Sequence, residues 1–497
     1  MKNAFKKISC IVICAVLICS QASLFVFAAD DNSIIPHIDI RGFMNAAIYA
    51  DMNDPDSEQL WPLETSNIIK TVAKVLPSLT KFAVDRNYDK LTESLIPYVN
   101  ELFRPLMCDE RGEPYEVGSG AYLYYPTREE VLENPDIDFT YDWRIDPYKS
   151  AERLNNFVNY LTDELGFGQV VIESHSNGSV VTMTYLAVYG TQKVKSIVLS
   201  AGAIYGTGFS GELVKGNLVI DNEGLETYLL SAFDNNQRAQ LLSGLMDILA
   251  KAGIVSTLSD FANDLIDNSR DLLFKKTIRP IFGNWLNIWG MVPDDDVEPG
   301  KAYLFGKLAE DEDTDYSYML ERIDAFTDDI RANRDTYLQK INDECNLYVF
   351  CFYGYTGLPL TKDWNVMSDG VLMSKDSSLG AAFKNPSSTE IFEAGKYVSP
   401  DGKVDGSTAM FKDQTWYFKN CRHSLKNDFL SQMAKDLLYY DGQATTETFE
   451  EYPQFLIFDR VSQTIVPDVE TAEPVSLTFF QKIIEFFKNI FSKIFNF

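Results

Sequence analysis

Val170-Val171-Ile172-Glu173-Ser174-His175-Ser176-Asn177-Gly178, followed by the apolar stretch Val180 to Tyr189, decides the reading of this chain. A short, mostly apolar run that stops at Ser174 and gives way to an apolar helical stretch reads as strand, sharp turn, helix. The turn has the form small-x-Ser-x-small. Its central residue, Ser176, must take a strained backbone conformation, and a large side chain two residues to either side would collide with the neighbouring element. Ser174 and Gly178 are small enough. Such a turn holds the hydroxyl over the end of the strand, and the first amides of the helix point at the place where an oxyanion would form. Ser176 is therefore the candidate nucleophile.

A hydroxyl near neutral pH needs a base, and imidazole is the side chain whose ordinary pKa suits that task. The chain has 3 histidines, His37, His175 and His423. Only His423 lies downstream of Ser176, just before the helix-like run Leu425 to Tyr440, where a strand-to-helix loop can carry it beside the hydroxyl. His175, inside the turn, points away from a base position for its neighbour and is read as structural. His37 opens the first strand and is read as a packed or surface residue.

The third member has to be a carboxylate that fixes the imidazole tautomer and stabilises its cation. In the hydrolase order it lies between nucleophile and base. The strand-like Asn346 to Tyr353 ends in a loop rich in Gly, Thr and Pro, and Ser368-Asp369-Gly370 stands at that loop's far end. Asp369 is the candidate, with Asp363 and Asp376 as competitors.

Tyr141-Asp142-Trp143-Arg144-Ile145-Asp146-Pro147, the helical Ser150 to Leu165 and then Val171 to Gly178 together resemble the lecithin:cholesterol acyltransferase family and its phospholipid:diacylglycerol acyltransferase relatives. Tyr-Asp-Trp-Arg is the specific part. Val194 to Gly206 looks like the strand and loop after that family's nucleophile turn, and Ser368 to Ser374 looks like its Asp-Gly-Thr-Val segment. Carried over residue by residue, the resemblance implies Ser176 as nucleophile, Asp369 as acid and His423 as base. It covers about half of the chain in separated blocks. Two departures stand out: Ser174 and Ser179 replace the first and last glycines of the usual Gly-His-Ser-x-Gly-Gly, and Pro36 to Phe43 resembles the family's oxyanion strand only through Gly42. By that match the backbone amides of Phe43 and Asn177 form the oxyanion hole.

With 497 residues and 45% hydrophobic content the chain can bury a large core, and strand-helix alternation around residues 137 to 205 implies a parallel sheet. The expectation is an α/β-hydrolase fold, a mostly parallel sheet with a helical cap insertion. Met1 to Ala28 carries Lys2, Lys6 and Lys7 before an apolar run and reads as a secretory signal peptide. Residues 29–443 form the expected catalytic domain, with the cap at about 207–343, where motifs for chemistry are absent. Leu242, Leu245, Met246 and Leu249 of that cap read as core, and the region from Asn67 to Glu133 as a second covering segment. Residues 444–476 read as an acidic linker rich in Thr, Glu and Pro.

The final stretch, 477–497, repeats Phe and Ile at helical spacing with Lys482, Glu485, Lys488 and Lys493 opposite, an amphipathic helix. It is either an interfacial membrane anchor or a helix docked on the catalytic domain.

The formal charge of -28 becomes -31 when the three lysines of the signal are removed, since no acid precedes residue 29. So acidic a chain argues against nucleic acid and makes any lipid contact local and hydrophobic. The runs Asp294-Asp295-Asp296 and Glu310 to Asp315 lack EF-hand spacing and read as solvated loops rather than calcium ligands. Neither a metal nor another cofactor is expected. Cys108, Cys345, Cys351 and Cys421 permit up to two disulfides in an oxidising compartment, or remain free buried thiols.

These observations lead to a secreted or extracellular serine hydrolase or O-acyltransferase acting on acyl-ester or phospholipid-like substrates, with water or an alcohol as acceptor and the absence of a sterol site favouring water. The alternative is a non-catalytic surface or lipid-binding protein that keeps the fold, for which the three side chains need not converge.

Overall fold

In a computed structural model of the protein, residues 34–232, 254–460 and 462–468 are described. The segments 1–28 and 477–497, and the cap residues Leu242, Leu245, Met246 and Leu249, lie outside them.

The strands are β1 (His37–Ile40), β2 (Ile48–Tyr49), β3 (Gln59–Trp61), β4 (Asp136–Phe139), β5 (Val170–His175), β6 (Val194–Ser200), β7 (Asn346–Tyr353), β8 (Ala382–Phe383), β9 (Val404–Asp405), β10 (Thr415–Lys419), β11 (Phe455–Asp459) and β12 (Thr464–Pro467). Eight of them make one sheet in the order β12-β11-β10-β7-β6-β5-β1-β4, while β2-β3 and β8-β9 are separate hairpins. Every pairing in the large sheet is parallel except β11 with β12. The fold is therefore α/β with a mostly parallel central sheet.

Strand alternation assigns two cores. Ile38, Ile40, Ile172, Ile197, Leu199, Leu347 and Val349 face one side. Val171, Val198, Tyr348, Phe350, Phe352, Trp416 and Phe418 face the other. Because both faces are covered, the central strands are apolar almost without interruption. The helices that matter here are α1 (Thr65–Asp85), α2 (Tyr88–Phe103), α3 (Pro147–Asn159), α4 (Asn177–Tyr189), α5 (Asn222–Ala232), α6 (Asp294–Lys301), α7 (Arg334–Glu344) and α8 (Asp428–Tyr439). In α8 the buried residues Leu430, Met433, Ala434, Leu437 and Leu438 form one stripe at helical spacing, against β5 and β6. Helix α4 is buried at every position from Asn177 to Leu186, which matches its apolar composition all round.

Between β6 and β7 the described residues form helices and no strand, from Gly208 to Glu344. Helices α1 and α2 lie in the expected second covering segment. The acidic run at 294–296 is the first turn of α6 rather than a solvated loop: Asp294 pairs with Arg331 and Arg334, and Asp296 with Lys215. Glu312 of the second run pairs with Arg279.

One boundary needs correction. The stretch 444–476 is not a linker throughout, because β11 and β12 fall inside it and complete the sheet, with Leu456, Phe458 and Ile465 buried in its core. The acidic and Thr-rich residues before Phe455 masked a short hairpin.

Candidate active site

The order of strands reverses at β1, which lies between β4 and β5. In parallel α/β sheets the crevice at the carboxyl ends of the strands on either side of such a reversal is where ligands bind. The turn after β5 and the loop after β1 open there together.

At the β5–α4 turn, Ser176 has φ 56° and ψ -126°. A non-glycine residue at positive φ is strained, and it persists because the surroundings fix it. The Ser176 amide donates to the Ser200 carbonyl at 3.1 Å, and the Ser176 carbonyl accepts from the Ser179 and Ala203 amides, each at 3.1 Å. A methyl group at Gly178 would collide with the Ile40 carbonyl oxygen, and one at Gly42 would lie 2.6 Å from Ser176 Cβ. Gly178 needs glycine because the start of α4 lies against the backbone at the end of β1, and Gly42 because the Ser176 side chain lies against it. Ser174 and Ser179, the two departures from the usual glycines, are buried and their hydroxyls lie 3.4 Å apart.

Gly42 leads into Phe43, whose amide makes no backbone hydrogen bond among the described residues. Asn177 is the first residue of α4, so its amide has no intrahelical acceptor. The loop after Gly42 is pinned by two indoles: Trp61 Nε1 donates to the Met44 carbonyl at 2.8 Å and Trp143 Nε1 to the Ala46 carbonyl at 2.9 Å. Phe43 packs edge-on against Trp143, with ring centroids 5.3 Å apart.

The Tyr141 to Arg144 stretch thereby acquires a structural meaning that its sequence did not disclose. Tyr141 Oη donates to Asn177 Oδ1 at 2.8 Å, so adjacent parts of one motif hold the helix start and the Phe43 loop. Arg144 and Asp142 anchor the motif through a fully buried bidentate pair, Nε to Oδ1 at 3.0 Å and Nη2 to Oδ2 at 2.7 Å. Removal of one partner would leave the other charge buried and unpaired.

His423, in the loop after β10, and Asp369, in the long loop after β7, meet over Ser176. His423 Nε2 lies 2.9 Å from Ser176 Oγ, and His423 Nδ1 lies 2.7 Å from Asp369 Oδ2. The His423 amide also donates to the Asp369 carbonyl at 3.0 Å, tying the loops by their backbones. Asp369 is fully buried, and its Oδ1 accepts from the amides of Val371 at 2.9 Å and Leu372 at 2.8 Å. An imidazole with Nδ1–H on a carboxylate presents a bare Nε2 to the hydroxyl, the tautomer that proton abstraction requires. Of the competing acids, Asp363 is exposed, and Asp376, pushed up to about 6 by burial, makes no hydrogen bond to His423. The three candidate side chains converge.

In the strands before the turn lies a polar patch that residue type alone does not reveal. On the sheet face covered by α8, β1 and β5 carry Asp39 and Glu173 in register, with His37 Nε2 3.6 Å from Glu173 Oε2. Burial, reinforced by Asp39, pushes the Glu173 carboxyl up to about 7, and burial pushes Asp39 up to about 6. His37 Nδ1–H donates to Asp136 Oδ1 at 2.9 Å, and burial lowers the His37 pKa.

Among the described residues, Cys108, Cys345, Cys351 and Cys421 are buried and free, and burial pushes each thiol up, Cys345 to about 12. Among the described residues no helix is long and apolar enough to cross a membrane, and no group of three or more His, Cys, Asp and Glu could hold a metal ion.

Neither a family model nor a curated protein matches the chain. Among solved structures, it aligns with a chain in the crystal structure of the Tle4-Tli4 complex at 11% identity, over 64% of this chain and 75% of that one, with a TM-score of 0.24. A likeness this slight carries nothing about fold or activity.

Proposed function

We propose that this chain is a serine acyl-ester hydrolase or O-acyltransferase of the α/β-hydrolase fold, acting on lipid-like esters through an acyl-enzyme. The observation that carries the reading is the continuous line Asp369–His423–Ser176, with separations of 2.7 and 2.9 Å, above a serine in a strained turn.

Ser176 Oγ attacks the ester carbonyl carbon while its proton passes to His423 Nε2. The negative charge that collects on the carbonyl oxygen is met by the Phe43 and Asn177 amides, each such donor contributing on the order of a hundredfold or more in rate. Asp369 stabilises the imidazolium without taking its proton. Collapse of the intermediate breaks the bond to the alcohol, which leaves with the proton from Nε2. Water or an alcohol, deprotonated by the same nitrogen, then attacks the acyl group and restores Ser176. The choice of acceptor separates hydrolase from transferase.

The resemblance to lecithin:cholesterol acyltransferase and its relatives, carried by Tyr141 to Arg144 and Ser368 to Ser374, supports lipid-like esters as substrates. The Met1 to Ala28 pattern supports an exported enzyme. The test is p-nitrophenol release from short- and long-chain acyl esters by the purified chain beside Ser176→Ala, with and without a glycerol or sterol acceptor. Turnover that disappears in Ser176→Ala is expected. Absence of turnover across all chain lengths would overturn the reading.

A further inference from the structure

Two imidazoles that are 248 residues apart in sequence touch at the site. His175 Nε2 lies 2.6 Å from the His423 backbone carbonyl oxygen, and the two ring centroids are 4.7 Å apart at 49°. A carbonyl oxygen can only accept, so His175 must carry its proton on Nε2. We propose that His175 is a positioning residue: its Nε2–H holds the His423 carbonyl, and its neutral ring backs the catalytic imidazole, fixing the height of His423 Nε2 over Ser176. The proposal rests on the serine-hydrolase reading of the same site.

Geometry gives the reason such a support is needed. The loop bearing His423 is joined to Asp369 at one side, by the carboxylate and by the amide-to-carbonyl bond. Before His423 the loop is held where Tyr355 Oη donates to the Asn420 carbonyl at 3.2 Å and Arg422 lies over the Tyr355 ring, and the His423 carbonyl is the backbone acceptor beside the imidazole that β5 itself holds. His175 is the residue immediately before Ser176 in β5. Base and nucleophile are thereby referenced to the same strand.

The ring must also be neutral, because the imidazolium formed on His423 would be opposed by a second cation against its face. Burial, with His423 as the next contribution, lowers the His175 pKa to about 3. Arg41 acts in the same direction and Asp369 against it. His175 thus stays uncharged wherever His423 works as a base.

The experiment is covalent labelling by an alkyl fluorophosphonate, in which Ser176 Oγ bonds to phosphorus, fluoride leaves and the hydroxyl proton passes to His423. The rate constant for inactivation and the reagent's apparent affinity are measured separately for the wild type, His175→Ala, His175→Gln and His175→Asn, each checked by thermal melting. The expected result is a 10- to 100-fold fall in the inactivation constant for His175→Ala with affinity unchanged. His175→Gln, whose amide N–H reaches about as far as Nε2, should recover most of the loss, and the shorter His175→Asn should not. Should His175→Ala not fold, the Gln and Asn variants decide by themselves. Equal rates for Gln and Asn, or a folded His175→Ala that labels like the wild type, would overturn the positioning role while leaving the serine-hydrolase reading intact. A wild type that does not label at Ser176 would overturn both.

Discussion

The β5–α4 turn and the helical insertion between β6 and β7 are held by opposite means. In the turn, the backbone is approached closely: Gly178 lies against the Ile40 carbonyl, Gly42 against the Ser176 side chain, and Ser176 itself is at φ 56°. In the insertion, charges distant in sequence meet: Asp294 with Arg331 and Arg334, Asp296 with Lys215, Glu312 with Arg279. Close backbone approach admits few residue types, so the turn leaves a legible motif. Ion pairs can be exchanged or moved along a helix, so the insertion leaves none. The same difference separates what each region does. Substitutions in the turn and its facing loops should cost chemistry, whereas those in the insertion should cost stability.

The largest effect expected is that of Asp369→Asn, which keeps the shape of the side chain but removes the carboxylate that holds Nδ1–H on His423. Ester turnover should fall on the order of 10³- to 10⁴-fold with little change in KM. A loss below tenfold would transfer the role of acid away from Asp369.

Gly178→Ala is next. The new methyl group has nowhere to go except into β1, at a cost of about 1–3 kcal/mol measured by urea unfolding, and activity should fall with it because Ser176 shifts. A fully active, fully stable variant would show that the turn tolerates a side chain and that its glycine carries no information.

Glu173→Gln probes the polar patch beneath the turn. The native carboxyl is raised from an ordinary 4.5 to about 7, so the folded state holds this proton more tightly than the unfolded chain does. That contribution is complete below pH 4.5 and is lost as the pH rises through 7. The amide variant should therefore match the wild type near pH 4.5 and exceed its unfolding free energy at pH 8 by about 1–3 kcal/mol. A difference that is the same at both pH values would contradict the burial of that carboxyl.

The smallest effect lies in the insertion. Asp294 is about half exposed, with 54% of its side-chain surface open, so Asp294→Ala should cost about 1 kcal/mol in urea unfolding and leave ester turnover within twofold. A larger loss of turnover than of stability would mean that the insertion takes part in the chemistry.

Legibility in the sequence followed the range of the interactions. Val170–Glu173, Asn346–Tyr353 and Leu425–Tyr440 stand out because apolar strands and an amphipathic helix have short periods, and β5, β7 and α8 fall on them. The parallel sheet followed from strand-helix alternation. The hairpin β11–β12 was hidden, since its strands of 5 and 4 residues follow an acidic, Thr-rich stretch whose composition dominates a local window. The meeting of Ser176, Asp369 and His423 could be suggested by residue type and order, but the contact of His175 with the His423 carbonyl could not, because nothing local distinguishes a histidine that holds a remote backbone from one that is merely packed. Tyr141 and Trp143 were visible as a motif without a role; their partners, Asn177 and Ala46, lie on other elements.

The most direct test is pre-steady-state mixing of the purified chain with a p-nitrophenyl ester, followed by intact-mass and peptide analysis of the quenched protein. The expected result is a burst of one equivalent of p-nitrophenol and one acyl group on Ser176, both absent in Ser176→Ala. Ester cleavage without an acyl group on Ser176, or neither cleavage nor adduct, would contradict nucleophilic catalysis by this serine.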